Sequence, residues 1–160
     1  MPIRMARLED IPALVEGGRR MHALTRFRHF DYLPEKVARS FEAVIRNGGN
    51  KYVFMVAEGL EGRLTGALIG AREAHLFTDQ LTANLMHFDV LPEFRMGGYG
   101  LKLLLAFERW AQAAGATEIC VGQNSAAGEG DVAPFHRLMM SRGYQIAGLN
   151  YFRSTENVNR

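Results

Sequence analysis

The chain has 160 residues, 48% of them hydrophobic and 22% charged, which is enough apolar surface for one core and too much for a disordered chain. Nineteen Lys and Arg against 17 Asp and Glu leave a net charge of +2, too small and too scattered for a nucleic-acid footprint. No apolar run reaches the ~18 residues of a membrane span, and a single cysteine excludes an internal disulfide and suits a reducing compartment.

The first ten residues, MPIRMARLED, carry charges where a signal peptide needs an apolar run, so a cytoplasmic location is expected. Residues 2–7 read as a short strand. Asp10 reads as a helix start with Pro12 in the first turn, followed by Ile11, Leu14, Val15 and Gly18 at helical spacing. The Gly17-Gly18 pair weakens that helix by about 1 kcal/mol per glycine relative to alanine. Residues 25–33 form an aromatic and basic loop, TRFRHFDYL, which could bind nucleic acid but, with no basic run elsewhere, is better suited to lining a binding site or to core packing. Pro34 opens a second helix with Val37, Phe41, Val44 and Ile45 on one face, stopped by Asn47-Gly48-Gly49.

Residues 52–57 and 63–72 read as a hairpin across the turn 58–62, and 81–91 as a third strand. The strongest helix spans 97–115, with leucines, Phe107 and Trp110 over more than half its circumference and Gly115 as its C-cap. A strand follows at 118–122, a flexible loop at 125–130, and a helix from an Asp131 cap to about Arg142, ended by Gly143. Residues 144–153 supply a final strand or two. The order β-α-α-β-β-β-α-β-α-β predicts an α/β (α+β) fold with a mixed sheet and helices on its faces, in one domain over 1–154 with a polar tail at 155–160.

The chemistry concentrates in Phe88-Asp89-Val90-Leu91-Pro92-Glu93-Phe94-Arg95-Met96-Gly97-Gly98-Tyr99-Gly100. A strand ends, a proline blocks further pairing, and glycines lead into a buried helix whose first amides and dipole favour an anion such as a diphosphate. A P-loop needs G-x-x-x-x-G-K-[ST], and a dinucleotide fold needs G-x-G-x-x-G; neither spacing is present. Arg95-Met96-Gly97-Gly98-Tyr99-Gly100 does fit [R/Q]-x-x-G-x-[G/A] after a strand ending in Val90-x-Pro92.

In this context the chain resembles the GNAT superfamily of acyl-CoA-dependent N-acyltransferases. The Leu-rich helix, Trp110-Ala111, Gly115-Ala116 and Arg142-Gly143-Tyr144 follow in family order, and the element order agrees over nearly the whole chain. The run Phe107-Glu108-Arg109-Trp110-Ala111 also resembles acetyltransferase-like proteins of phage genomes. The resemblance implies acetyl-CoA as co-substrate and direct attack of an acceptor amine on the thioester. It implies a bulge that splays the central sheet, with the main chain of Phe88 and Val90 along the pantetheine arm and a strand N–H such as that of Val90 at the oxyanion. Arg95, Met96, Gly97, Gly98, Tyr99, Gly100 and Leu101 then cradle the diphosphate, with Lys102 alongside. The usual acid is a tyrosine where this chain has Met139, and the best-known base position falls on Asn84. A catalytically silent acyl-CoA-binding module, with a structural or regulatory role, is the alternative function.

Asp89 and His87 alternate with Phe88, share a strand face and are the candidate catalytic pair. Glu73 and His75 at a strand end, and His136 one turn before Met139, are weaker candidates. Cys120 reads as a buried small hydrophobe. The five histidines show no metal-ligand spacing. The expected partner is an amine-bearing small molecule or protein, with neither nucleic acid nor membrane; homodimers are frequent among similar proteins.

Overall fold

In a computed structural model, residues 2–49, 51–123, 129–148 and 150–155 are described. The chain gathers into two compact units, Met1–Gly122 and Gln123–Arg160. The first holds β1 (Ile3–Met5), α1 (Ile11–His22), α2 (Pro34–Arg46), β2 (Tyr52–Glu58), β3 (Leu64–Ala74), β4 (Leu81–Val90), α3 (Tyr99–Ala113) and β5 (Ala116–Val121). The sheet runs in the order β1-β2-β3-β4-β5, antiparallel except for the parallel β4–β5 pair. The predicted mixed-sheet fold is the one observed.

Each face of the sheet is covered. Leu14 of α1 packs with Phe54, Val56 and Ile69, and Phe41, Val44 and Ile45 of α2 close that core. On the other face Phe107 of α3 is fully buried and stands where a Cβ on Gly70 would fall, 2.3 Å from its ring. A strand covered on both faces needs no polar alternation, so β2 reads YVFMVAE with Val53 through Ala57 all buried.

The β3–β4 register carries the feature that shapes the site. Ile69 pairs with His87, and Gly70 pairs with Leu85, leaving Met86 as an extra residue. Counted by twos from Ala83 and Leu85, His87 and Asp89 belong on the α3 face. The inserted residue reverses that. His87 instead lies beside Ile69 and Asp89 beside Ala67, on the α1/α2 face, while Phe88 lies beside Leu68 towards α3. Just before the bulge, β4 loses its other neighbour: the last β4–β5 pair is Leu85 with Val121. Residues 86–90 run on past β5, which splays the sheet.

The expected helix start is observed, with Asp10 at the N-cap position of α1, and two expectations are corrected. The Asp10 side chain does not bond the first amides of α1; the carboxylate accepts two bonds from the Arg4 guanidinium, at 2.7 and 2.9 Å, and one from the Arg7 amide at 2.8 Å. A bidentate charged donor outcompetes a neutral cap amide. In the second unit the helix α4 (Glu129–Ser141) starts two residues before the expected Asp131 cap, and 129–130 are helical rather than loop. Residues 125–128 of the expected loop, and 156–160 of the expected tail, lie outside the described residues. No strand forms over 144–148 or 150–155. Gly148 interrupts that run, and Ile146, Tyr151 and Phe152 stay largely exposed, so apolar composition there is not converted into a ladder.

Candidate functional site

Two arrangements meet along the end of β4. The first is made of backbone. Residues 92–97 form a short 3-10 turn, and Gly98 follows in the left-handed region at φ +73°, a conformation that costs other residues about 1–2 kcal/mol. The first bond of the α3 ladder is from the Lys102 amide to the Gly98 carbonyl at 3.1 Å. The amides of Tyr99, Gly100 and Leu101 therefore precede the ladder, at the positive end of the helix. Gly100 sits against the strand, with its Cβ position 3.5 Å from Phe88 and 3.6 Å from Val90. That contact places the first turn of α3 beside the end of β4, past its last pair with β5.

The side chains of this loop take other parts. Met96 is fully exposed. Tyr99 is buried, its ring edge-on to Phe94 at 5.9 Å, and it fills the space a side chain on Gly97 would need. Arg95 reaches back to the Val90 carbonyl at 3.4 Å, while Leu101 and Lys102 face solvent. Glu93, which sequence reasoning passed over, accepts from Arg20 at 3.0 Å and from Arg63 at 3.0 Å. It ties the turn to α1 and to the start of β3. Splayed strand, glycine turn and leading amides suit an acyl donor with an extended arm and a diphosphate.

The second arrangement is made of side chains. His87 Nε2 lies 2.8 Å from Asp89 Oδ2, with the two side chains 39% and 23% exposed. Burial works against the charged imidazolium, but the hydrogen bond and the charge of Asp89 outweigh it, so the imidazole is raised above its ordinary value of 6.5. With Nε2–H donated to the carboxylate, Nδ1 is the ring atom that takes a proton. The pair opens into a cleft of about 420 Å³, open solvent included, between α1, α2, β3 and Leu91. Its walls are Ala13, Leu14, Gly17, Gly18, Met21, Phe41, Leu64, Gly66 and Ala67.

The glycine pair of α1 is accounted for here. Gly18 makes room for Tyr32, whose hydroxyl lies 2.8 Å from the Gly18 Cβ position and donates to the Val15 carbonyl at 2.7 Å. The 25–33 loop is thus pinned to α1. Gly17 faces the cleft, with only Leu91 near its Cβ position, at 4.0 Å.

The remaining candidates fall elsewhere. Asn84 donates to Glu73 at 2.9 Å, and the His75 ring lies tilted against Phe77, centroids 5.2 Å apart, at the exposed β3–β4 hairpin. Cys120 is half-buried rather than buried. Its thiol lies 3.3 Å from Glu118 Oε1, and burial together with that carboxylate pushes its pKa up, away from a nucleophilic thiolate. In the second unit His136 is exposed and Met139 is buried. Among the described residues no group of three His, Cys, Asp or Glu is placed to hold a metal, and no helix is long and apolar enough to cross a membrane.

Comparison with known proteins bears on the same region. The crystal structure of a probable acetyltransferase superposes with a TM-score of 0.74 at 20% identity, covering 98% of this chain and 99% of that one. Glucosamine-6-phosphate N-acetyltransferase from Arabidopsis thaliana gives 0.71 at 14% identity, covering 97% and 98%. AAC(6')-Iy, in complex with a CoA bisubstrate analogue, gives 0.70 at 16% identity, covering 97% of each chain. At such identities the likeness establishes the fold. No curated protein matches the sequence. The family model of the Acetyltransferase (GNAT) family matches residues 19–137, a span holding α2, the bulged strand, the glycine turn and α3, and the chain belongs to that family.

Proposed function

We propose that the protein transfers an acetyl group from acetyl-CoA to the nitrogen of an amine, with the two faces of β4 dividing the work. Acetyl-CoA is the acetyl donor of the family. Its diphosphate would lie on the amides of the turn formed by Arg95, Met96, Gly97, Gly98, Tyr99, Gly100 and Leu101, with Lys102 at the solvent edge. Its pantetheine arm would run along the main chain of Phe88 and Val90, where β4 has left β5. The observation that carries the reading is the bulge at Met86, which turns His87 and Asp89 to the opposite face of the strand that carries the splayed edge.

An ammonium has no lone pair and cannot attack, so the acceptor must first lose a proton. His87 Nδ1 takes it, and Asp89 fixes the ring and stabilises the imidazolium, as a carboxylate does behind any imidazole base. Starting from the ammonium, the nitrogen gains the acetyl group from sulfur and loses two protons: the one taken by His87 passes on to solvent, and the one lost from the adduct goes to the departing thiolate. Met139, which has no acidic proton, stands where the family commonly carries a tyrosine, so this chain supplies that last proton by another route.

Titration calorimetry with acetyl-CoA, paired with a thiol-release assay over primary amines, tests the proposal. Binding followed by amine-dependent thiol release is the expected result. Binding with no release over the whole panel favours a silent acyl-CoA module, and no binding removes both.

A further inference from the structure

We infer that the acceptor is a small monoamine on an apolar body, aliphatic or aryl, seated in the α1/α2 cleft with its nitrogen at the His87–Asp89 pair. The inference rests on the acetyltransferase reading and narrows it. Of the residues lining the cleft, His87 and Asp89 alone carry ionisable side chains. Asp89 offers one negative charge, which matches one ammonium. A second ammonium would stand against Leu14, Met21 or Phe41, and removing a charge from water without a partner is strongly unfavourable. A phosphate or carboxylate on the acceptor would meet Asp89 with no lysine or arginine in the lining to receive it. The nearby basic residues Arg20 and Arg63 lie outside the lining and are engaged with Glu93.

Gly17 sets the room available to that apolar body. Its missing side chain leaves the α1 wall recessed opposite Leu91, and an added Cβ meets no atom closer than 4.0 Å. A methyl group there would therefore occupy cleft space without displacing the protein. Alanine in mid-helix is also the more stable residue, so a loss of acceptor binding cannot be ascribed to a damaged fold.

The test compares thiol release from acetyl-CoA with phenethylamine, hexylamine, spermidine and glutamate, alongside calorimetry of acetyl-CoA binding. The apolar monoamines should exceed spermidine and glutamate in kcat/KM by about ten-fold or more. Gly17→Val should raise KM for phenethylamine about ten-fold with acetyl-CoA affinity unchanged, and Gly17→Ala should shift it less, in the same direction, with a higher Tm. Preference for spermidine or glutamate, or no turnover of any of these amines by protein that binds acetyl-CoA, overturns the inference. So does an amine KM indifferent to both Gly17 variants. Turnover of spermidine alone leaves the acetyltransferase reading standing, whereas failure to bind acetyl-CoA removes that reading and the inference with it.

Discussion

The two faces of β4 solve different problems with different materials. Towards α3 and the splayed edge, the proposed donor site is built from amides, with Gly98 at φ +73° and Gly100 against Phe88 and Val90. Towards α1 and α2 it is built from one imidazole and one carboxylate in an apolar cleft. Backbone recognition is indifferent to most side-chain changes and sensitive to backbone dihedrals. Side-chain chemistry has the opposite sensitivities. If the division is real, substitutions on one face should spare the function of the other.

The largest effect is expected on the side-chain face. His87→Ala should lower kcat by about 10²–10⁴-fold, the range of a general base, with acetyl-CoA affinity by calorimetry unchanged. Equal losses in both would merge the two faces into one. The pH profile sharpens the same point. The base works only when neutral, so log kcat/KM should rise with pH through a limb above 6.5, since the imidazole is held above that value by Asp89. In Asp89→Asn the opposing influence of burial remains and the carboxylate's attraction is gone. The limb should then move to lower pH, with a reduced plateau. A limb that stays in place would remove Asp89 as the partner that sets the base.

On the backbone face the informative pair is Gly98→Ala and Gly115→Ala. Both glycines have positive φ, +73° and +77°, and neither Cβ position meets an atom within 4 Å. Each should lose about 1–2 kcal/mol of stability to left-handed strain, read as similar falls in Tm. Gly98 precedes the leading amides of α3 and Gly115 follows its last turn, so Gly98→Ala alone should weaken acetyl-CoA, by about ten-fold. Equal affinities in the two variants would leave the turn without a ligand role.

The backbone face was the legible one, because its signals are local. A proline after a strand, glycines in series and a leucine-rich helix are all adjacent in the chain, and the run from Pro92 to Gly100 carries them. The pairing of His87 with Asp89 was legible too, from their spacing. The side of the sheet they face was not: the bulge exists only as a mismatch between the residue counts of β3 and β4, and no feature of β4 alone announces Met86 as the extra residue. The same holds for α1, where Gly17-Gly18 reads as a weak point until Tyr32 and the cleft are seen beside it. The helix start at Asp10 was legible, but its side chain's partner was not, because Arg4 is brought near only by the chain's turn from β1 into α1. The strand expected over 144–153 came from composition, and pairing depends on more than composition.

The smallest effect concerns the clasp between the faces. Glu93 joins Arg20 of α1 and Arg63 at the foot of β3 to the glycine turn, and Arg63 also lies over the Phe94 ring at 5.0 Å. All three charged side chains are well exposed, and exposed pairs contribute little to stability, so Glu93→Gln should leave Tm nearly unchanged. Its effect on acetyl-CoA has a definite sign. The substitution removes a negative charge from the turn proposed to receive a diphosphate and leaves two guanidinium groups without their carboxylate beside it. Affinity should tighten by about two-fold at low ionic strength and return to the parent value as salt screens the exposed charges. Weakened binding instead would mean that the clasp holds the turn in shape, and that the amide face depends on side chains after all.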